Sequence, residues 1–176
     1  MAQRFIPLLF GLILIAGFAS AQTIFRNEAF GFEGERPAEW REKKQAFSKE
    51  GIKGTTVAFA LPKVYSELEK TSISNVISIT ALKGDSIQSV EKLKAFEFAR
   101  IKNIMHEKKG MKCEFGEAYV IESEMNGLVY KAMTVFVFQN GFGYVLTFNA
   151  TPGTFEKNLP KFNAFLGKLE FPASLI

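Results

Sequence analysis

The sequence holds one cysteine, one histidine and one tryptophan in 176 residues. A single cysteine, Cys113, excludes an intramolecular disulfide, so packing alone must stabilise whatever folds. One cysteine and one histidine also fall short of the three or four ligands of the usual zinc sites. Any Ser-His-Asp or Cys-His arrangement would have to pass through His106. Glycines 31, 34, 51 and 54 stand alone rather than in a phosphate-binding or dinucleotide fingerprint, which leaves no nucleotide cofactor to expect. The charge is nearly balanced, 22 Lys+Arg against 18 Asp+Glu. That argues against nucleic acid as a partner, because the lysine-rich stretches at 41–53 and 102–112 have acidic neighbours.

Long apolar runs are equally scarce. The one clear run, Phe5 to Phe18, has 14 residues, against the roughly 20 that a membrane-spanning helix needs. Arg4 before it and Ala19-Ser20-Ala21 after it make it read as a secretory signal peptide over residues 1–21, with cleavage after Ala21. Gln22 rather than cysteine follows the cut, which disfavours a lipid-anchored precursor; retention as an uncleaved anchor stays open. The expected mature chain is a single domain over 22–176, exported to the periplasm or the extracellular space, with no membrane span after cleavage. Three of the 19 phenylalanines lie in the signal. The remainder are an unusually large aromatic supply for one core.

Along the mature chain, Ile24-Phe25 and Phe30-Gly31-Phe32 predict a small N-terminal strand or hairpin ending at Pro37, with Trp40 directly after it. Residues 41–54 read as a short strand and an exposed turn, and Thr55–Leu61 as a strand stopped by Pro62. Lys63–Ser74 has no clear period and reads as an irregular, mobile connection. Asn75–Leu82 alternates as a strand. Asp85, Ser86 and Ser89 offer N-caps for a long amphipathic helix running to about Lys108, with Gly110 past its end.

A three-strand meander follows, Ala118–Glu124, Leu128–Phe138 and Phe142–Asn149, joined at Asn126-Gly127 and Asn140-Gly141. Asn-Gly suits type I′ hairpins because both central residues need positive φ. The central strand is apolar on both faces, which calls for a cover on each side and predicts an α+β fold. In it an antiparallel sheet is sandwiched between helices in three α/β/α layers. The second cover is a helix begun by Thr151 and Pro152, carrying Phe155, Leu159, Phe162 and Leu166 and kinked or split at Pro160. Leu169–Phe171 returns as an edge strand.

The pair Phe30-Gly31-Phe32 and Pro37-Ala38-Glu39-Trp40, the long helix before the meander, and the closing run Tyr144 to Ala150 with Phe155, Phe162 and Leu169-Glu170-Phe171 together resemble the PsbP-like superfamily. This group contains photosystem-associated PsbP proteins and Ran-binding Mog-type proteins. The resemblance spans nearly the whole mature chain and implies the α/β/α sandwich and a binding or assembly scaffold without established catalysis. It points to the exported bacterial branch, whose role is unassigned.

Residues with chemistry are few. His106 is placed near the end of the long helix, and a Cys113 and His106 dyad would span that helix end and a turn, the one hydrolase arrangement the sequence permits. Glu114, Glu117, Glu122 and Glu124 around one hairpin could supply oxygens to calcium, although a solvated strand edge explains them more simply. Phe96, Phe98, Phe142 and Tyr144 could line an apolar pocket under the long helix, where core packing is the plainer explanation. The favoured expectation is a non-enzymatic interaction or assembly module that meets an envelope or periplasmic protein through segments 62–74 and 41–54. Pro37 and Trp40 would then be structural anchors. The alternative is a carrier of an apolar or amphipathic small molecule held between helix and sheet.

Overall fold

A computed structural model describes residues 21–49, 51–101, 104–113, 115–125 and 127–173. Strand-forming stretches with period-two alternation dominate it. In chain order they are β1 (Gln22–Asn27), β2 (Phe32–Pro37), β3 (Arg41–Lys49), β4 (Ile52–Ala60), β5 (Val64–Ser66), β6 (Thr71–Ile73) and β7 (Val76–Lys83). Helix α1 (Val90–Arg100) then precedes β8 (Ile104–Cys113), β9 (Gly116–Met125), β10 (Leu128–Gln139) and β11 (Phe142–Ala150), and α2 (Pro152–Leu166) leads to β12 (Leu169–Glu170).

Seven strands form one antiparallel sheet in the order β3-β4-β7-β11-β10-β9-β8, and β1-β2-β12 form a second, smaller sheet. The meander stands as expected. Asn140 and Gly141 take φ of 55° and 79°, the left-handed pair that a type I′ turn demands.

Odd and even positions of the central strands divide the large sheet into two unlike faces. On one, Val57, Phe59, Ile77, Ile79, Met133, Val135, Tyr144, Leu146 and Phe148 form the main core. Helix α2 covers part of this face with Phe155, Phe162, Phe165 and Leu166, and the small sheet covers the rest with Phe25, Phe32, Leu169 and Phe171. Tyr144 joins the layers: its ring lies 4.3 Å from that of Phe171, and its hydroxyl donates to the Phe30 carbonyl at 2.7 Å. Burial pushes this phenol up to about 12, so the folded state holds its proton where the unfolded chain, with an ordinary value near 10, has released it. The associated stability is complete below pH 10 and is lost as pH rises towards 12. Tyr144→Phe should cost about 1–2 kcal/mol at neutral pH, by orphaning the Phe30 carbonyl, and flatten the alkaline limb of a stability-versus-pH curve.

The other face is dry only near one end. There Ile52, Leu82, Phe136 and Val145 pack with Ile87 and Leu93, with Phe47, Phe96 and Phe98 at the margin. Gly143 lets α1 come close, since a Cβ at that position would lie 2.7 Å from Ile87 Cγ2 and 3.0 Å from Leu93 Cδ1. Beyond the helix this face includes the small residues Thr56, Ala58, Ser78, Thr80, Ala132 and Thr147, which stay partly exposed.

This arrangement corrects the expected fold class. Among the described residues the protein is a mostly antiparallel β structure with two helices and three sheets, not a sheet sandwiched between helices in three α/β/α layers. One cover is shared between α2 and a second sheet, and the other is a single short helix over part of a face. The long helix expected to Lys108 ends at Arg100, and residues 104–108 belong to β8, the edge strand paired with β9. Ile101, Ile104 and Met105 have helical spacing, but within α1 only Leu93 is buried. Too little packing exists there to hold further turns against a strand partner.

Three smaller expectations also change. Residues 41–54 hold β3 and the start of β4 in place of a short strand and an open turn. Pro160 does not split α2, which runs as one helix from Pro152 to Leu166. Segment 63–74, expected to be irregular, contains the β5-β6 hairpin.

Candidate functional site

The β5-β6 hairpin carries two of the exposed large apolar side chains among the described residues, which also include Ile24 on β1 at 72%. Tyr65 is 51% exposed and Leu68, at its tip, 67%. Each apolar side chain at such exposure forgoes favourable free energy by staying in water, which burial against a partner would recover.

The base of the hairpin is fixed. Ser66 is fully buried, and its hydroxyl donates to Glu69 Oε2 in a close contact. The other oxygen of Glu69 accepts the Gly153 backbone N–H at 3.2 Å, so this carboxylate reaches across to satisfy an otherwise unpaired amide in the first turn of α2. Beneath it, Thr154 Oγ1 donates to Asn75 Oδ1 at 2.9 Å, and Asn75 Nδ2 donates to the Thr154 carbonyl at 3.4 Å. Lys157 Nζ donates to the Tyr65 carbonyl at 3.0 Å. Gly153 leaves room for the docking, because a Cβ there would overlap Ser66 Oγ and Glu69 Oε2 and approach Leu68 Cβ to 2.9 Å.

Burial acts to raise the Glu69 carboxyl, but hydrogen bonds from Ser66, Gly153 and Thr151 outweigh it and hold the group below its ordinary value of 4.5. A lowered carboxyl stabilises the docked hairpin above pH 4.5, and that contribution is lost as pH falls through the folded-state value. Limited proteolysis within 64–73 should therefore accelerate under acid. In Glu69→Gln the acid dependence of that cleavage should disappear.

Sequence reading named segment 62–74 but missed its anchors. Ser66-Glu67-Leu68-Glu69 has the Ser-x-x-Glu spacing of a capping box, and one of its two bonds forms, the Glu69 N–H reaching Ser66 Oγ at 3.4 Å, while the Glu69 carboxylate accepts the Ser66 hydroxyl instead of the Ser66 N–H. That local signal was legible. Gly153, Asn75 and Thr154 were not, since their roles depend on contacts about 80 positions away in the chain.

The pocket expected from Phe96, Phe98, Phe142 and Tyr144 does not form. Phe142 and Tyr144 lie in the main core, whereas Phe96 and Phe98 flank the smaller cluster on the opposite face of the sheet. A groove of about 210 Å³ does lie beside the end of α1, between Glu97 and Ile101 above and Ile121, Thr134, Val145 and Thr147 below. Burial raises the Glu97 carboxyl, opposed by Arg100, whose Nη1 lies 2.9 Å from it. This volume is below the roughly 300–1,000 Å³ of ordinary ligand pockets.

His106 and Cys113 sit on β8, in register with Glu122 and Gly116 respectively. Both therefore lie seven positions apart on one strand, not across a helix end and a turn as expected. Glu122 and Glu124 lie on β9, opposite Lys131 and Val129 of β10. Glu114, expected in the same cluster, lies outside the described residues. Among the described residues no three His, Cys, Asp or Glu side chains gather closely enough to hold a metal ion, and no helix is long and apolar enough to cross a membrane.

Trp40 is buried against Phe59 and Phe165, with ring centroids 6.4 and 5.9 Å away. Arg36 bonds the Pro37 and Trp40 carbonyls at 3.2 and 2.8 Å. Pro37 and Trp40 are thus part of the joint between the two sheets.

No family model matches the chain, and no curated protein matches it. Solved structures do. The solution structure of the cyanobacterial PsbP protein CyanoP from Synechocystis superposes with a TM-score of 0.51 at 12% identity, over 93% of this chain and 99% of that one. A Bacteroides thetaiotaomicron protein gives 0.46 at 12% identity, over 85% of this chain and 48% of its own, so this chain spans about half of that one. A Pseudomonas aeruginosa protein of unknown function gives 0.45 at 13%, over 82% and 93%. The likeness to CyanoP shows a PsbP-like fold and, at this identity, the fold alone.

Proposed function

We propose that this chain is an exported, non-enzymatic interaction module with a PsbP-like fold, cut after Ala21 and active in the periplasm or outside the cell. It would bind an envelope or periplasmic protein through the β5-β6 hairpin. One observation carries the reading: Tyr65 and Leu68 are exposed on an element whose base is clamped to α2 through Glu69. An exposed aromatic on a pre-ordered support loses little entropy on binding, the economy expected of a contact anchor. Export rests on the Arg4-led apolar run and the small residues before Gln22.

The other segment considered, 41–54, supports contact less well. Edge strand β3 carries exposed Lys43 and Lys44, which discourage strand addition. The carrier alternative rests on the groove beside α1, whose volume admits only a very small ligand.

The test is capture after mild cross-linking in the native cell, comparing the wild-type chain with a Tyr65→Ser/Leu68→Ser variant of unchanged circular dichroism. One dominant envelope protein, recovered with the wild type and lost with the variant, is the expected result. Equal recovery with both would overturn the hairpin as the contact. A stoichiometric small molecule with no protein would move the function to the groove.

A further inference from the structure

We infer that the chain pairs with a second copy of itself along the outer edge of β1, through Ile24 and Arg26, so that two small sheets join into one. A sheet edge offers backbone N–H and C=O groups to any extended chain, and folded proteins blunt such edges with charge, proline, irregularity or short length. Most edge strands of this fold are blunted in one of these ways. β3 carries exposed Lys43 and Lys44, and β8 is broken by register shifts between Ile104 and His106 and between Lys109 and Lys112. β12 has two residues, and β5 and β6 have three each. β1 differs: it runs for six residues without lysine, proline or register shift, outermost in the order β1-β2-β12. Near its middle Ile24 is 72% exposed. Its one charge, Arg26, is held by Glu33 of the same sheet at 2.6 Å and does little to repel a neighbour.

The ladder between β1 and β2 fixes which groups face outward. The Ala38 N–H bonds the Ala21 carbonyl at 2.8 Å, one step before Gln22 stands opposite Pro37. Bonded and non-bonded pairs alternate along an antiparallel ladder, so Thr23–Arg36 and Phe25–Gly34 are bonded pairs. The backbone groups of Ile24 and Arg26 therefore point away from β2. Antiparallel pairing of two copies centred on Phe25 sets Ile24 against the partner's Arg26, and Arg26 against the partner's Ile24. Each of these pairs exchanges both backbone hydrogen bonds.

Charge selects a second copy as the occupant. Ile24 stands opposite Glu35 within its own sheet. In the paired sheet Arg26 thus lies between its own Glu33 and the partner's Glu35, with its aliphatic stem over the partner's Ile24. An unrelated extended segment brings no such acidic neighbour in register. Centring on Arg26 instead would set two arginines face to face.

A single strand pair is a small interface at the weak end of protein contacts, so the dimer should depend on concentration. The experiment is sedimentation equilibrium of the exported chain from micromolar to millimolar concentration, where a monomer–dimer equilibrium is expected. Ile24→Pro removes an N–H that β2 does not use, so circular dichroism should be unchanged. Dimerisation should weaken about tenfold or more, because symmetry deletes the bond twice. Ile24→Lys, which leaves the backbone intact, should also weaken it. Tyr65→Ser/Leu68→Ser should dimerise as the wild type does, which separates this edge from the hairpin contact. Chains carrying Ile24→Cys and Arg26→Cys, each with Cys113→Ser, should oxidise to a mixed disulfide faster than either does with itself. A chain that stays monomeric throughout, or a dimer unaffected by Ile24→Pro and Ile24→Lys, would overturn the pairing. Faster self-linking of the Ile24→Cys chain would overturn the centring on Phe25, and loss of the dimer in the hairpin variant would move the interface there.

Discussion

Phe59→Ala should lower the unfolding free energy by about 3–5 kcal/mol, the usual cost of emptying a phenylalanine site in a packed core. Phe59 is fully buried where three elements of the fold meet. Its ring lies 4.9 Å from Phe25 of the small sheet, 5.6 Å from Phe165 of α2 and 6.4 Å from Trp40 in the link between β2 and β3. The Arg36 guanidinium lies 5.6 Å from the same ring. Removing the ring leaves a cavity that none of these neighbours can fill without giving up another contact, so relaxation recovers little. Urea unfolding should show the loss as a lower midpoint at an unchanged slope. A loss below about 1 kcal/mol would mean that the two sheets are held together elsewhere.

Gly153→Ala separates two effects of opposite sign. At an exposed helical position, replacing glycine by alanine gains about 1 kcal/mol of helix propensity. At this position the added Cβ meets Ser66 Oγ, Glu69 Oε2 and Leu68 Cβ, all on the β5-β6 hairpin. Overpacking of this kind costs about 1–3 kcal/mol, so net destabilisation is expected in place of the gain. The hairpin should detach first. Protease cleavage within 64–73 should rise several-fold, while the hydrogen-exchange protection of β7, β10 and β11 falls only by the global loss. A stabilised variant with an unchanged hairpin would show that the docking does not depend on this glycine.

Local chemistry made much of this fold legible. The two Asn-Gly pairs marked the meander, Thr151 and Pro152 marked the start of α2, and the alternation around Ile77 and Ile79 marked β7. What failed was inference about covers. Tyr130, Ala132, Phe136 and Phe138 looked like a second dry face, but of these only Phe136 is buried. Neighbouring strands present Thr56, Ser78, Thr80 and Thr147 beside them, and which residues become neighbours is set by register between strands, not by any one strand's pattern. The missed β8 has the same origin. Its sequence carries helical spacing, and only the edge of β9 makes it a strand. At the candidate site, the exposed Tyr65 and Leu68 lay within a segment already singled out. Their clamp was hidden because Glu69 finds its second partner in Gly153, 84 positions away.

The central claim, that Tyr65 and Leu68 are where the protein meets its partner, is tested most directly by site-specific photo-cross-linking in the exporting cell. A photoreactive residue is placed at position 68 and, as control, at position 128, where Leu128 is 52% exposed on β10. The account predicts one discrete adduct of protein size from position 68 and none from position 128. An adduct from position 128 with none from position 68 would contradict it.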